Sequence, residues 1–353
     1  MTTSERLPRV RASELSGRGW LNTGGEELSL EQLRGKIVLL DFWTFCCINC
    51  LHVLDELREL EEQHRDVLVV VGVHSPKFVH EADPVALAAA VDRYEVHHPV
   101  LDDPELVTWS AYTARAWPTL VVIDPEGYIV AHMAGEGHKN NVAVLVRDLV
   151  AEHEAKGTLH RGDGPYVPPA PSETTLRFPA KAVRLPSGNL LVADAGHHTL
   201  TELAADGESL VRRIGSGERG LADGGPADAA FSEPNGLCLV PEPLRARLDA
   251  DVLVADTVNH AIRAVRLADG HVRTVAGTGE QFMVGGVENV VLREGRGADV
   301  TGHGPAEAGG QYAPLDVRLS SPWDVAWSQD LAAFVVAMAG NHTLWAFDGE
   351  QGS

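Results

Sequence analysis

The chain has 353 residues, 44% of them hydrophobic, with 35 glycines and 20 prolines. That is too long for one small domain and too apolar for a disordered chain. Its 29 basic residues face 50 acidic ones, a net charge of −21, so nucleic acid and anionic lipid are not expected partners.

Residues 1–20 carry arginines but no apolar stretch that a translocon would read, so no signal peptide is expected. The longest apolar runs, 67–73 and 332–339, are strand-length, well short of the ~20 residues that span a bilayer. Only four cysteines occur, three of them at positions 46, 47 and 50. This pattern points to a local thiol site in a reducing compartment, the cytoplasm, rather than to a disulfide scaffold.

In chain order, residues 36–42 form a continuous apolar run suited to a buried strand. From Cys47 to His64, Leu51, Leu54, Leu57 and Leu60 draw a helical stripe between acidic residues. A second buried strand is predicted at 67–73. Pro84 opens a helix through Tyr94, and Pro104 another through Tyr112. Strands at 119–123 and 128–133 flank a turn at Asp124-Pro125-Glu126-Gly127, and a last helix covers 141–154. His74 and His80 fall in a loop after the second strand, and His97-His98 cap the strand that follows. Neither pair has the partners of a metal site, and no metal or cofactor is expected.

Residues 157–175, with Pro165, Pro168, Pro169 and Pro171, have the composition of an exposed linker. They divide the chain into domains at 1–156 and 176–353. Beyond the linker no helical pattern persists, and an internal repeat begins. Leu176-Arg177-Phe178-Pro179, Phe231-Ser232-Glu233-Pro234 and Leu319-Ser320-Ser321-Pro322 are each followed by a second motif. Those second motifs start Val192-Ala193-Asp194, Val254-Ala255-Asp256 and Val336-Ala337-Met338. Such self-similarity means stacked supersecondary units. The repeat prolines lie 55 and then 88 residues apart, so insertions are expected, the longest over 279–314.

The densest chemistry lies in Asp41-Phe42-Trp43-Thr44-Phe45-Cys46-Cys47-Ile48-Asn49-Cys50, where a buried strand runs straight into a helix. Cys47 then sits at a helix N-terminus, where free amides and the helix dipole favour a thiolate. Cys50 follows one turn later, within reach of a mixed disulfide on Cys47. Half of a zinc site is the competing reading, but the remaining cysteine, Cys238, is isolated and supplies no second pair.

This segment resembles the active-site segment of thioredoxins, with Cys47 and Cys50 on the two redox cysteines. By that resemblance Asp41 is the buried acid that assists proton transfer. Trp117-Pro118-Thr119 is the loop whose cis Pro118 faces the redox pair and offers backbone groups to an extended substrate. The expected activity is thiol–disulfide exchange with a protein substrate. Cys46 departs from the family's tryptophan, and Ile48-Asn49 from its Gly-Pro. Cys46 is either an alternative disulfide partner or a small apolar side chain. Thr44, three residues before Cys47, also resembles the Thr-x-x-Cys of peroxiredoxins, with Arg115 the nearest arginine to the Trp117-Pro118 loop. Leu40, where that family has proline, and the nearby second cysteine count against a peroxidase.

The C-terminal repeats resemble NHL repeats of six-bladed propellers, through Asn259-His260-Ala261-Ile262, Asn341-His342-Thr343-Leu344 and, more weakly, His197-His198-Thr199-Leu200. Asp194 and Asp256 match that family's acidic position, where Met338 departs from it. These polar residues are expected to hold blade turns rather than to catalyse, and the blades to present a surface to a protein partner. The order of a thioredoxin-like domain, a linker and an NHL propeller resembles the NHL-repeat proteins that carry a thioredoxin-like domain. A scaffold with a vestigial thioredoxin fold is the non-enzymatic alternative. The repeats supply about 2.5 blades. On that count the chain is expected to be C-terminally incomplete, with the 332–339 strand unusually exposed for its hydrophobicity.

Overall fold

A computed structural model of the chain describes residues 10–170, 174–282 and 313–349. These divide into two compact units, one ending at residue 171 and the other starting at residue 172. Most of the insertion expected over 279–314 lies outside the described residues, as do residues 1–9 of the N-terminal segment.

The first unit is built on a seven-stranded sheet. Its strands are β1 (Val10–Arg11), β2 (Gly19–Leu21), β3 (Ile37–Trp43), β4 (Leu68–His74), β5 (Val100–Asp102), β6 (Thr119–Ile123) and β7 (Tyr128–Ala134), in the order β1-β7-β6-β3-β4-β5-β2. Central β3 runs parallel to β4, pairing Ile37 with Leu68, and antiparallel to β6, pairing Asp41 with Leu120. Successive side chains of β3 enter opposite layers. Val38, Leu40 and Phe42 join a cluster with Trp109 and Tyr112, whereas Ile37 and Leu39 pack against α1 (Ile48–His64) and α4 (Lys139–Lys156). The alternation therefore puts Asp41 on the α1 face, the side from which Cys47 and Cys50 emerge.

Several elements differ from the sequence reading. The helix α2 (Pro84–Arg93) starts at Pro84 as expected, its Asp83 carboxylate accepting the Val85 amide at 2.9 Å. By contrast, α3 (Val107–Ala111) begins three residues after Pro104, because Asp103 accepts the amides of Val107 and Trp109 at 2.7 and 2.8 Å while Leu106 takes a left-handed φ of 55°. His74 is not a loop residue; it ends β4 and is fully buried. His98 is also buried and pairs with Glu61 at 2.9 Å. Residues 160–167, linker-like in composition, run along this unit: the amides of His160, Gly162 and Val167 donate to Gly35, Asp66 and Asn22.

The second unit contains three antiparallel sheets. The first holds β8 (Pro179–Arg184), β9 (Leu190–Asp194), β10 (Thr199–Leu203) and β11 (Leu210–Ile214). The second holds β12 (Pro234–Leu239), β13 (Val252–Asp256), β14 (Ala261–Arg266) and β15 (His271–Ala276). The third holds β16 (Pro322–Ser328), β17 (Ala333–Met338) and β18 (Thr343–Phe347). The sequence repeats are conformational repeats. Phe178, Glu233 and Ser321, just before the three repeat prolines, have φ of 52°, 50° and 47°, and His198, His260 and His342 have φ of 51°, 48° and 58°.

The acidic position organises each of the first two blades. The Asp194 carboxylate binds the Arg177 amide, His197, Thr201 and Arg213 at 2.7–2.9 Å. Asp256 binds the Ser232 amide, Asn259 and Arg263 at 2.7–2.8 Å. In the third blade Met338 replaces the carboxylate and is buried in the apolar layer with Phe334 and Val336. The 332–339 segment is correspondingly not exposed: β17 is the middle strand of its sheet, and Ala333, Phe334, Val336 and Met338 are at most 6% accessible. Its neighbours β16 and β18 shield both edges, and Leu344 on β18 carries the exposure instead, at 73%. One helix, α5 (Glu242–Leu248), also interrupts this all-β unit where none was predicted; Pro241 opens it and buried Leu248 anchors it.

Candidate active site at the β3–α1 junction

Buried β3 delivers the chain to a short loop, Thr44–Cys46, and α1 begins directly after it. Cys47 is the N-cap of α1, with φ −108° and ψ 108°, and its carbonyl accepts the amides of Cys50 and Leu51 at 3.0 and 3.2 Å. Cys47 is half-buried, Cys50 fully buried and Cys46 exposed. The loop at Trp117-Pro118 closes the other side. Its peptide bond is cis, and the Trp117 carbonyl lies 3.9 Å from the Cys47 Sγ. Trp117 is fixed there by stacking on Trp109 at 4.2 Å and by donating from Nε1 to the Ser75 carbonyl at 2.7 Å. All four residues singled out from sequence, Asp41, Cys47, Cys50 and Pro118, thus lie around one junction.

The two sulfurs differ sharply. A hydrogen bond from the Cys50 thiol, opposed by partial burial and aided by the amides of Cys50 and Asn49 and by Lys77, brings the Cys47 pKa down to about 6. Burial and the same hydrogen bond push Cys50 well above the ordinary thiol range. These surroundings favour the thiolate at half-buried Cys47 and the thiol at buried Cys50.

Asp41 is fully buried and neither carboxyl oxygen has a hydrogen-bond partner. Burial, followed by the charges of Glu61 and Cys47, raises its pKa well above the usual carboxylate range. A carboxyl of this kind holds its proton where surface acids have lost theirs, and once ionised it is basic enough to take a thiol proton. The folded state binds the proton more tightly than the unfolded chain, so stability falls as pH rises from the unfolded value of 3.8 through the raised folded value. Asp41→Asn is therefore expected to stabilise the first unit at neutral pH by roughly 1–3 kcal/mol, raising its melting temperature, and to have less effect near pH 4. Calorimetry at the two pH values checks this; a gain confined to acid would contradict it.

Sequence reasoning missed Glu81. It lies in a 3₁₀ turn, Val79–Ala82, that folds over the Thr44–Cys46 loop, and it is fully buried. Its Oε2 accepts the amides of Lys77 and Phe78, both at 2.7 Å; its Oε1 accepts the Cys46 amide at 3.1 Å and the Thr44 hydroxyl. Burial would raise its pKa, but these donors outweigh it and hold the carboxylate below its usual range. Thr44 therefore spends its hydroxyl on Glu81, and Arg115 is exposed. Phe78, three residues before Glu81, has no side-chain oxygen to cap with, so no capping-box pattern marks this acid in the sequence.

Asp124, Glu126 and His153 offer atoms within 4.8 Å of one another, but His153 Nδ1 hydrogen-bonds Thr158 at 2.7 Å and Lys156 lies 3.4 Å from Glu126, so protein groups already meet this cluster's needs. Among the described residues no helix is long and apolar enough to cross a membrane.

Residues 35–129 match the family model described as thioredoxin-like. SUPPRESSOR OF QUENCHING 1, chloroplastic, of Arabidopsis thaliana is 34% identical over 338 residues, 93% of this chain and 29% of the relative. NHL repeat-containing protein 2 of Gallus gallus is 35% identical over 348 residues, 94% of this chain and 43% of the relative. The chain thus spans less than half the length of either. Thiol-disulfide oxidoreductase YkuV of Bacillus subtilis is 28% identical over 143 residues, 40% of this chain and 95% of the relative. Residues 35–129 thus form a thioredoxin-like domain, the antiparallel sheets that follow are consistent with NHL blades, and nearly the whole chain is homologous to part of NHL repeat-containing protein 2 and of SUPPRESSOR OF QUENCHING 1.

Proposed function

We propose that this protein is a thiol–disulfide oxidoreductase acting on protein disulfides, with Cys47 attacking, Cys50 resolving and Asp41 moving the proton. The observation that carries this reading is the asymmetry at the α1 N-terminus, where half-buried Cys47 favours the thiolate and buried Cys50 the thiol.

In the first step the Cys47 thiolate attacks one sulfur of a substrate disulfide. A Cys47–substrate bond forms, the substrate S–S bond breaks, and the departing thiolate takes a proton from water. In the second step Asp41, having first released its own proton to water, takes the proton of Cys50, and the Cys50 thiolate attacks the Cys47 sulfur. The second substrate thiolate leaves, and a Cys47–Cys50 disulfide remains. The substrate gains two electrons and the protein loses two, to be restored by an external dithiol. The Trp117 carbonyl beside Cys47 supplies a backbone acceptor for an extended substrate. The NHL-type blades would serve as a platform for a protein partner, and the cytoplasm is the compartment that keeps such a pair reduced.

The engagement of Thr44 by Glu81 favours this reading over a peroxidase. The test is a direct comparison on the full chain. Insulin disulfides should be reduced catalytically in the presence of dithiothreitol, while micromolar hydrogen peroxide should oxidise Cys47 only slowly. Fast sulfenic acid formation at Cys47 with no insulin reduction would reverse the assignment.

A further inference from the structure

Cys46 and Cys47 are adjacent, and Cys46 is the more exposed. Accessibility alone would make Cys46 the nucleophile. Two consecutive residues of the 3₁₀ turn flank it: its Sγ lies 3.5 Å from His80 Nε2, and its amide donates to Glu81 Oε1 at 3.1 Å. The Glu81 carboxylate is an ionised group buried against the loop that carries the thiol. The same carboxylate, through its other oxygen, holds the Lys77 and Phe78 amides. Lys77 in turn lies 5.8 Å from the Trp117 ring, on the Cys47 side.

We propose that Glu81 is a positioning residue that separates the two neighbouring thiols, placing its buried negative charge against Cys46 and holding Lys77 toward Cys47, so that Cys47 alone enters exchange. This inference rests on the oxidoreductase reading for its consequence, but its test does not require exchange to occur.

The electrostatics around the pair agree with this geometry. Partial burial, a hydrogen bond to Glu81, the Glu81 charge and the Cys47 charge push the Cys46 thiol up to about 11. The other titratable groups facing this turn are His74, His80 and Lys77. Burial keeps His74, at the end of β4, down at about 4, the Glu81 charge opposing and Arg18 assisting, so it is neutral at physiological pH. His80 touches the sulfur itself. Lys77 acts on Cys47, lowering its pKa. A buried carboxylate beside a thiol favours its protonated, unreactive form.

The experiment is site-resolved alkylation of the reduced full-length chain with iodoacetamide across pH, read by mass spectrometry. In the wild type, Cys47 should label with a midpoint near 6 and Cys46 with a midpoint near 11. Glu81→Gln keeps the shape of the side chain and removes its charge. It is expected to lower the Cys46 midpoint by at least about one unit, so that Cys46 labelling at about pH 8 rises roughly tenfold. Protection of Cys50 in the same sample reports that the first unit is folded. An unchanged Cys46 profile with Cys50 protected would overturn the proposal. Thr44→Val separates charge from loop docking: it removes one donor to Glu81 but leaves the carboxylate, so the Cys46 midpoint should stay high. An equal downward shift in Thr44→Val would also overturn the proposal. If Glu81→Gln exposes Cys50, Glu81→Asp carries the test, because the charge retreats by one methylene and the Cys46 midpoint should still fall. Should insulin reduction fail while these profiles hold, the exchange reading alone is lost.

Discussion

Cys47→Ser is expected to lower insulin reduction by roughly three orders of magnitude or more, to the background rate, because no second thiolate is available at the α1 N-terminus. Serine keeps the N-cap and its carbonyl contacts with Cys50 and Leu51, so the fold should persist. Cys50→Ser should behave differently. The first step survives, because Cys47 still forms its thiolate from the helix amides and Lys77, although its pKa should rise once the Cys50 hydrogen bond is gone. The second step has no nucleophile, so Cys47 should accumulate as a mixed disulfide with substrate, visible as a dithiothreitol-sensitive adduct on a non-reducing gel. Equal activity loss in both variants without any adduct would mean that Cys47 is not the attacking sulfur.

The second large effect belongs to the second unit. Arg263 is fully buried, pairs with fully buried Asp256 at 2.7 Å and also donates to the Ala230 and Ala222 carbonyls and to Asp223. Burial raises the Asp256 pKa even against this pairing. Arg263→Met would leave a buried carboxylate and several acceptors without their donor, which costs about 3–5 kcal/mol. For a unit of this size that is roughly 10 °C in melting temperature. The penalty should be largest at neutral pH and shrink toward pH 4, where the raised pKa of Asp256 lets its carboxylate take up a proton. Adding Asp256→Leu to Arg263→Met should restore part of the loss, because the double variant buries no orphaned charge. No recovery would mean that the carbonyl contacts of Arg263, rather than its ion pair, hold the blade.

Sequence patterning was informative wherever the determinant was local. The apolar runs at 36–42 and 67–73 became β3 and β4 shifted by one residue, and 119–123 became β6 without change. Cys47 and Cys50 are legible because a strand entering a helix places them in its first turn, and Asp41 because the segment resembles that of thioredoxins. The repeat prolines, too, mark real repeats, since each follows a residue with positive φ. Determinants remote in sequence were not legible. Glu81 reaches Thr44 across 37 residues, and no local pattern distinguishes it from the chain's other acids. Edge strands β1 and β2, and β5 beside β2, contain two or three residues each and owe their form to the neighbours they pair with. The burial of β17 was misjudged from composition, because a strand's exposure depends on which strands flank it and on the adjoining blade, not on its own hydrophobicity.

The most direct measurement of the central claim is disulfide mapping by mass spectrometry on the wild-type chain, equilibrated across a series of glutathione redox buffers and quenched in acid. The predicted result is a single bond between Cys47 and Cys50 that appears and disappears in one two-electron transition, with Cys46 and Cys238 remaining thiols throughout. A Cys47 and Cys50 that stay reduced in every buffer, or a bond formed through Cys46 instead, would contradict the account.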